Sequence, residues 1–286
     1  MKITQVQQEI TDRVIASLKT GKTFKQAFAA LKFGMPRSIS TGKKYTGSNV
    51  ITLIMTGYES AEWGTYNAWM EKGGQVRKGE KATKIVFYAP IFDKDNKDEI
   101  VGMSCKTFSV FNREQVEIQI DTKTNDDYID MSGTDLMSYF CAENSPKLEI
   151  GSPSYAPRTD VVRYPNTWKN AELANGTIAH EIIHSTGHKS RLSRDGVTNY
   201  DGFGSHNYSF EELIAELGSL FLCAEMGLLT DSLQDNGTAY IENWLTVLSS
   251  NPDWIYKAAQ QASKASDFAL AMIQQGEMIQ QAQIAK

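Results

Sequence analysis

All four histidines of the chain, His180, His184, His188 and His206, fall within 27 residues. The first two stand in His180-Glu181-Ile182-Ile183-His184, an HExxH pattern. On a helix, residues four apart share one face a turn apart. Two imidazoles at that spacing converge on one metal ion, so this segment is predicted to be a helix. A catalytic zinc takes three protein ligands and leaves its fourth position to water. Glu181, next to the first histidine, is placed to take a proton from that water and pass it to a leaving amine. Ala179, Ile182 and Ile183 supply the apolar side that fixes the helix.

The third ligand is sought further along. The extended pattern HExxHxxGxxH wants a histidine at position 190. Gly187 fits its glycine, but residue 190 is Ser190. The stretch 210–217 (FEELIAEL) instead offers carboxylates amid apolar residues on a helix. Glu212 and Glu216 are four apart, share a face, and lie 28 and 32 residues after His184. That layout suits Glu212 as ligand and Glu216 as the acid that orients a histidine. Helix phase is fixed only to within one residue, so Glu211 stays an alternative ligand. His188 and His206 are extra ligands, substrate contacts or inert surface groups.

Other metal chemistries fit less well. A di-iron bundle needs two Glu-x-x-His pairs, and Glu181–His184 is the single one here. Non-haem iron accepts two histidines and a carboxylate, but leaves Glu181 without a task. Zinc is the expected ion, with another divalent metal such as manganese as the substitute. Cys105, Cys141 and Cys223 are far apart and form no CxxC pair. That excludes a cysteine-built zinc site and fits a reducing cytoplasm. No apolar run approaches the roughly 18 residues of a membrane span, and residues 1–10 have no signal-peptide character.

Charge divides the chain. The net charge is −5, yet residues 1–92 hold 14 Lys/Arg against 6 Asp/Glu, whereas 93–286 hold 15 against 28. A +8 segment before a −13 segment suggests two modules, the first facing a polyanion. Residues 119–134 are polar and acidic and read as a linker. The expected organisation is α+β with two domains, 1–120 and 135–286, joined by 121–134. Apolar spacing at Ile3, Val6, Ile10, Val14 and Leu18 predicts a helix. Residues 84–91 and 100–111 read as strands, as do 147–151 and 159–164. Helices are expected near 168–187, 209–226 and 236–249, and after Trp254.

The first segment also interleaves basic and aromatic residues. Arg37, Lys43, Lys44, Arg77, Lys78, Lys81 and Lys84 are candidate phosphate contacts. Tyr45, Tyr58, Trp63, Tyr66 and Trp69 are candidate stacking platforms, with Trp69 the one expected to turn inward as core. Basic grooves with aromatic platforms bind single strands with little sequence preference.

Several blocks together resemble one family, the ArdC-type antirestriction proteins of conjugative plasmids and mobile elements. In the second half they are Tyr155-Ala156-Pro157 with Asp160, AHEIIHSTGHKSRLSR (179–194) and FGSHNYSFEELIAELGSLFLCAEMGL (203–228). In the first half they are Pro36-Arg37, Thr41-Gly42, Tyr45 with Gly47 and Asn49, Trp63-Gly64-Thr65-Tyr66, GGQVRKGEK (73–81) and FSVFNREQ (108–115). The resemblance implies a single-stranded-DNA-binding domain followed by a mostly helical, zincin-like metallopeptidase domain with a small sheet. It implies protection of incoming DNA from host restriction.

The mechanism expected from the residues has His180, His184 and Glu212 on the metal and Glu181 as base. The strand 159–164 is expected to pair with an extended substrate, and host restriction proteins or other DNA-bound proteins are candidate substrates. Two competing classes are a DNA-shielding protein whose metal only stabilises the fold, and a peptidase acting on DNA–protein crosslinks.

Overall fold

The computed structural model describes residues 3–21, 28–94, 96–118, 135–165, 167, 171–199, 205–229 and 238–284. The architecture is α+β. In chain order the first half runs α1 (Ile3–Lys19), β1 (Arg37–Ser38), α2 (Ser48–Ile54), β2 (Glu62–Gly64), α3 (Tyr66–Glu71), β3 (Gly74–Val76), β4 (Thr83–Phe92), β5 (Ile100–Asn112) and β6 (Val116–Ile118). The second half has β7 (Lys147–Ile150), β8 (Ser154–Ala156), β9 (Val161–Tyr164), α4 (Ala171–Thr186), α5 (Asp195–Thr198), α6 (His206–Glu225), α7 (Thr238–Ser250) and α8 (Trp254–Ile284). The linker expected at 121–134 lies outside the described residues.

The first-half sheet has strand order β1-β2-β5-β4, with β4 and β5 forming a long antiparallel hairpin. A second ladder pairs β3 with β6. Asn112 and Gln115 close the chain between β5 and β6 as a capping box, the Asn112 side chain accepting from the Glu114 amide at 3.0 Å. Gln115 then donates to Glu80 and to the Lys81 carbonyl, both at 3.0 Å. The blocks 73–81 and 108–115 are thus one hydrogen-bonded unit.

In α1, Ile10, Val14 and Leu18 are buried at the expected four-residue spacing. Ser205 caps α6 by accepting from the Tyr208 amide at 3.1 Å. The Ala-rich face of α8 (Ala258, Ala259, Ala262, Ala265, Ala269) is fully buried and lets neighbouring helices approach closely. One apolar cluster takes in Val50 and Ile51 of α2, this alanine seam, and Leu213, Leu217 and Phe221 of α6. The two halves of the sequence therefore share a core. Burial of this kind stabilises by roughly 25 cal/mol per Å² of apolar surface.

The second-half sheet corrects one expectation. Its order is β7-β9-β8, so β9 (Val161–Tyr164) lies in the middle, parallel to β7 and antiparallel to β8. Both edges of β9 are already paired, and it has no ladder left for a substrate strand. Among the described residues the edge strand packed against α4 is β8, a three-residue strand too short to be seen in the sequence pattern. Among the described residues no helix is long and apolar enough to cross a membrane.

Candidate metal centre

Helix α4 presents His180, Glu181 and His184, and α6 lies against it carrying Glu211, Glu212 and Glu216. The helices meet where α6 has Gly218. A Cβ there would come within 2.8 Å of the Ile183 side chain, so only glycine permits this approach. The contact brings His180, His184 and Glu212 together, one ligand atom from each lying within 4.8 Å of the others. The two Nε2 atoms are 3.0 Å apart, and Glu212 oxygens lie 3.5 Å from His180 Nε2 and 3.4 Å from His184 Nε2. A tetrahedral ion with bonds of about 2.0–2.1 Å sets its ligand atoms about 3.3–3.4 Å apart. Three nitrogen and oxygen donors at these separations fit a divalent transition ion without rearrangement.

The outer face of each ring meets a further carboxylate. Glu216 Oε2 lies 3.6 Å from His180 Nδ1, and Glu211 Oε1 lies 3.3 Å from His184 Nδ1. Such partners fix ring orientation and raise ligand basicity. Burial opposes a charge on His180, but Glu212 and Glu216 outweigh it and push its pKa up to about 10. His184 is shifted the same way: burial opposes the charge, and Glu211 and Glu212 more than compensate. Burial likewise works against a charged Glu212, yet the two histidines hold its pKa well below the carboxylate range.

Glu211 has its own counter-charge. Burial would raise its pKa, but Arg194 beside it keeps it depressed. Arg194 donates to both Glu211 oxygens, at 2.9 and 2.5 Å, and to Thr186 Oγ1 and the Ile183 carbonyl, each at 2.7 Å. Gly187 makes room for it, since a Cβ there would lie 2.9 Å from an Arg194 nitrogen. Glu181 is 8% exposed, and burial raises its pKa. The Tyr155 backbone of β8 works weakly in the opposite direction, which puts the candidate base beside this edge strand. The Tyr155 hydroxyl donates to Asp160 Oδ1 at 2.8 Å, and Arg191 clasps both Asp160 oxygens and the Ser185 carbonyl. This cross-link locks the edge strand to the end of α4. His188 stands apart, bonded to Ser190 Oγ at 2.8 Å, and His206 packs edge-on against Trp254.

Comparison with known proteins places this geometry. Residues 4–126 match the family model for the N-terminal domain of anti-restriction factor ArdC, and residues 139–261 match that of a zincin-like metallopeptidase. The Mn(II)-bound crystal structure of the ArdC antirestriction protein of plasmid R388 is 34% identical, with a TM-score of 0.73 over 96% of this chain and 98% of that one. Its metal-free structure superposes with a TM-score of 0.72 over 94% and 97%. The chain belongs to the ArdC antirestriction family. A DNA primase, TraC of Escherichia coli, is 31% identical over 93% of this chain. The chain spans only 27% of that relative's length. A Mn(II)-bound relative in the ArdC family and a ligand set of this geometry support a divalent metal for this protein.

The ArdC N-terminal region distributes the expected DNA-contact residues unequally. Trp63 and Tyr45 are 1% and 7% exposed and sit in the core, so neither offers a ring face to a base. Tyr58 packs edge-on against Trp63. Trp69 is inside, as its spacing implied, its indole donating to the Phe111 carbonyl at 3.0 Å. Arg37 and Lys44 face the acidic half: Lys44 Nζ is 2.7 Å from Asp267 and 3.5 Å from Glu225, and Arg37 is 3.5 Å from Glu225. Their charges clamp the halves together.

Arg77 is paired with Glu80 at 2.8 Å and donates to the Glu114 carbonyl. Tyr66, Arg77 and Lys78 do line one cavity of about 540 Å³ with Gln75, Phe111, Glu80 and Glu117. Lys43, Lys81 and Lys84 are exposed. The sequence reading missed Arg194 and Arg191 altogether, because arginines in a Ser- and Lys-rich loop look solvated. Their one signal was their place in the block 179–194.

Proposed function

We propose that this protein protects incoming plasmid or mobile-element DNA from host restriction by binding it as a single strand and acting on bound proteins through a zinc-dependent peptidase centre. His180, His184 and Glu212 hold the ion, zinc or manganese, and Glu216 and Glu211 orient the two imidazoles. A divalent ion bound there supplies Lewis-acid polarisation of a peptide carbonyl and acidification of a water. Glu181 takes the proton of the attacking water and returns it to the leaving amine. Its buried carboxyl, with a raised affinity for protons, suits both halves of that transfer. The edge of β8 aligns an extended substrate by backbone pairing. Exposed lysines at 78, 81 and 84, with Tyr66, contribute to the DNA-contact surface.

The observation that carries the reading is the juxtaposition of a three-donor metal cluster with the buried Glu181 carboxylate beside the edge strand β8. A purely structural zinc site is closed by four protein ligands, whereas among the described residues this cluster has three. The test is transfer of unmodified plasmid into a restricting recipient that produces the wild type or Glu181→Gln. Wild-type protection that the variant loses while keeping its metal supports the peptidase reading. Intact protection by the variant would leave DNA shielding as the function. Proteins covalently held on single strands serve as the assay for the crosslink-peptidase alternative.

A further inference from the structure

The long hairpin of β4 and β5 displays an aromatic pair with no part in the site described above. The register sets Ile85 opposite Phe108 and Phe87 opposite Lys106, so these four side chains lie on one face. Ile85 is buried, whereas Phe87 and Phe108 are 48% and 42% exposed. The two rings meet edge to face with centroids 5.4 Å apart. Beyond that contact, somewhat under half of each phenylalanine remains exposed. Two phenylalanines presented this way carry a large apolar area that folding alone does not require.

We propose that Phe87 and Phe108, with Lys106 beside them, form a stacking platform for the bases of single-stranded DNA. The proposal rests on the single-strand reading above and names the surface that performs it. Charge complementarity selects the occupant. Lys106 stands exposed on the same face, and Lys81 is exposed two residues before β4 begins. Residues 1–92 carry the chain's cationic excess. Sheet-borne aromatics flanked by cations bind bases by stacking and the backbone by charge.

The edge of β4, by contrast, is blunted against strand addition. Asn49 bonds both backbone groups of Val86, at 2.7 and 2.9 Å, Pro90 has no amide hydrogen to donate, and the register shifts at Ile91/Phe92. Such devices discourage pairing with another chain. The face of the hairpin is what remains available.

The test measures binding of a labelled oligothymidine to the full-length, metal-loaded protein at several salt concentrations. Phe87→Ala combined with Phe108→Ala should weaken binding roughly tenfold or more, with an unchanged slope of log affinity against log salt. Lys106→Gln should make that slope shallower by about 0.7. Phe87→Trp combined with Phe108→Trp should keep wild-type affinity, and an abasic strand should bind wild type and the alanine variant equally. Melting temperature and metal content check that the variants fold.

If the wild type binds single strands and the double alanine variant binds equally well, the platform is refuted while the single-strand reading stands. If the wild type does not bind single strands at all, that reading falls and takes the platform with it. Equal losses on normal and abasic strands would refute stacking. Self-association of the wild type that the alanine variant abolishes would make the face a protein contact and overturn the proposal.

Discussion

Arg194 grips both carboxylate oxygens of Glu211, and Glu211 in turn faces Nδ1 of His184 at 3.3 Å. Arginine, carboxylate and imidazole form a line that ends at the metal cluster. The side chains of Arg194 and Glu211 are each 5% exposed, so this is a buried ion pair. Breaking such a pair by removing one partner costs about 3–5 kcal/mol, because the survivor is left charged and unpaired. Glu211→Gln is therefore expected to lower unfolding stability by that order and to weaken metal binding, read by urea denaturation and by metal titration. The Glu211 pKa is depressed, so its stabilising contribution is present above the ordinary carboxylate pKa. It disappears as pH falls through the lower folded value. The wild type should lose this increment on acidification, and Glu211→Gln should not.

Glu181 shows the opposite linkage. Its folded pKa is raised, so the folded state tolerates it fully below the ordinary carboxylate pKa and is penalised as pH rises through the folded value. In metal-free protein, Glu181→Gln should raise the melting temperature at neutral and alkaline pH. The gain should vanish on acidification below pH about 4. A variant less stable than wild type at pH 8 would show that the carboxylate supports the fold.

Metal and protons compete at His180. Without metal its pKa is pushed up to about 10 by Glu212 and Glu216 against the opposing effect of burial. Metal binding at pH 7–8 must displace that proton. Calorimetry in buffers of different ionisation enthalpy should find at least one proton released per ion, and affinity rising with pH. The raised histidine pKa also stabilises the metal-free fold fully below about pH 6.5, and this stability is lost as pH climbs through about 10.

Lys44 and Lys78 should separate in their effect on DNA. Lys44 is paired with Asp267 and Glu225, whereas Lys78 is exposed beside the Tyr66 cavity. Lys78→Gln is expected to reduce the salt dependence of single-strand binding by about 0.7 in slope. Lys44→Gln should leave that slope unchanged, with a stability loss of about 1 kcal/mol or less because the pair is partly exposed. Equal slope changes for both would show that the clamp opens on DNA.

The His180–His184–Glu212 cluster was legible in the sequence because ligand chemistry is written in residue type and spacing. His180, Glu181 and His184 need no tertiary information beyond the helix, and Glu212 and Glu216 needed only a second helix of the right phase. What lay hidden depends on packing. Trp63 and Tyr45 occur among polar neighbours, as stacking residues do, yet the shared core with α8 draws them inside. Arg37 and Lys44 gave the basic signature, but the acids that pair with them come from distant α6 and α8. The three residues of β8 carry no periodic signal, so the sequence points instead to 159–164 as the substrate-pairing strand. Phe87 alternates within β4 as a core residue would, and only its exposure reveals otherwise.

The account stands on two helices building one three-donor metal centre with a separate base. Metal stoichiometry in wild type, Glu181→Gln and Glu212→Gln, by elemental analysis of the purified proteins, tests it most directly. The expected result is one divalent ion per chain in the wild type and in Glu181→Gln, and loss of the ion in Glu212→Gln. Full metal retention by Glu212→Gln, or its loss on replacing Glu181, would contradict the assignment.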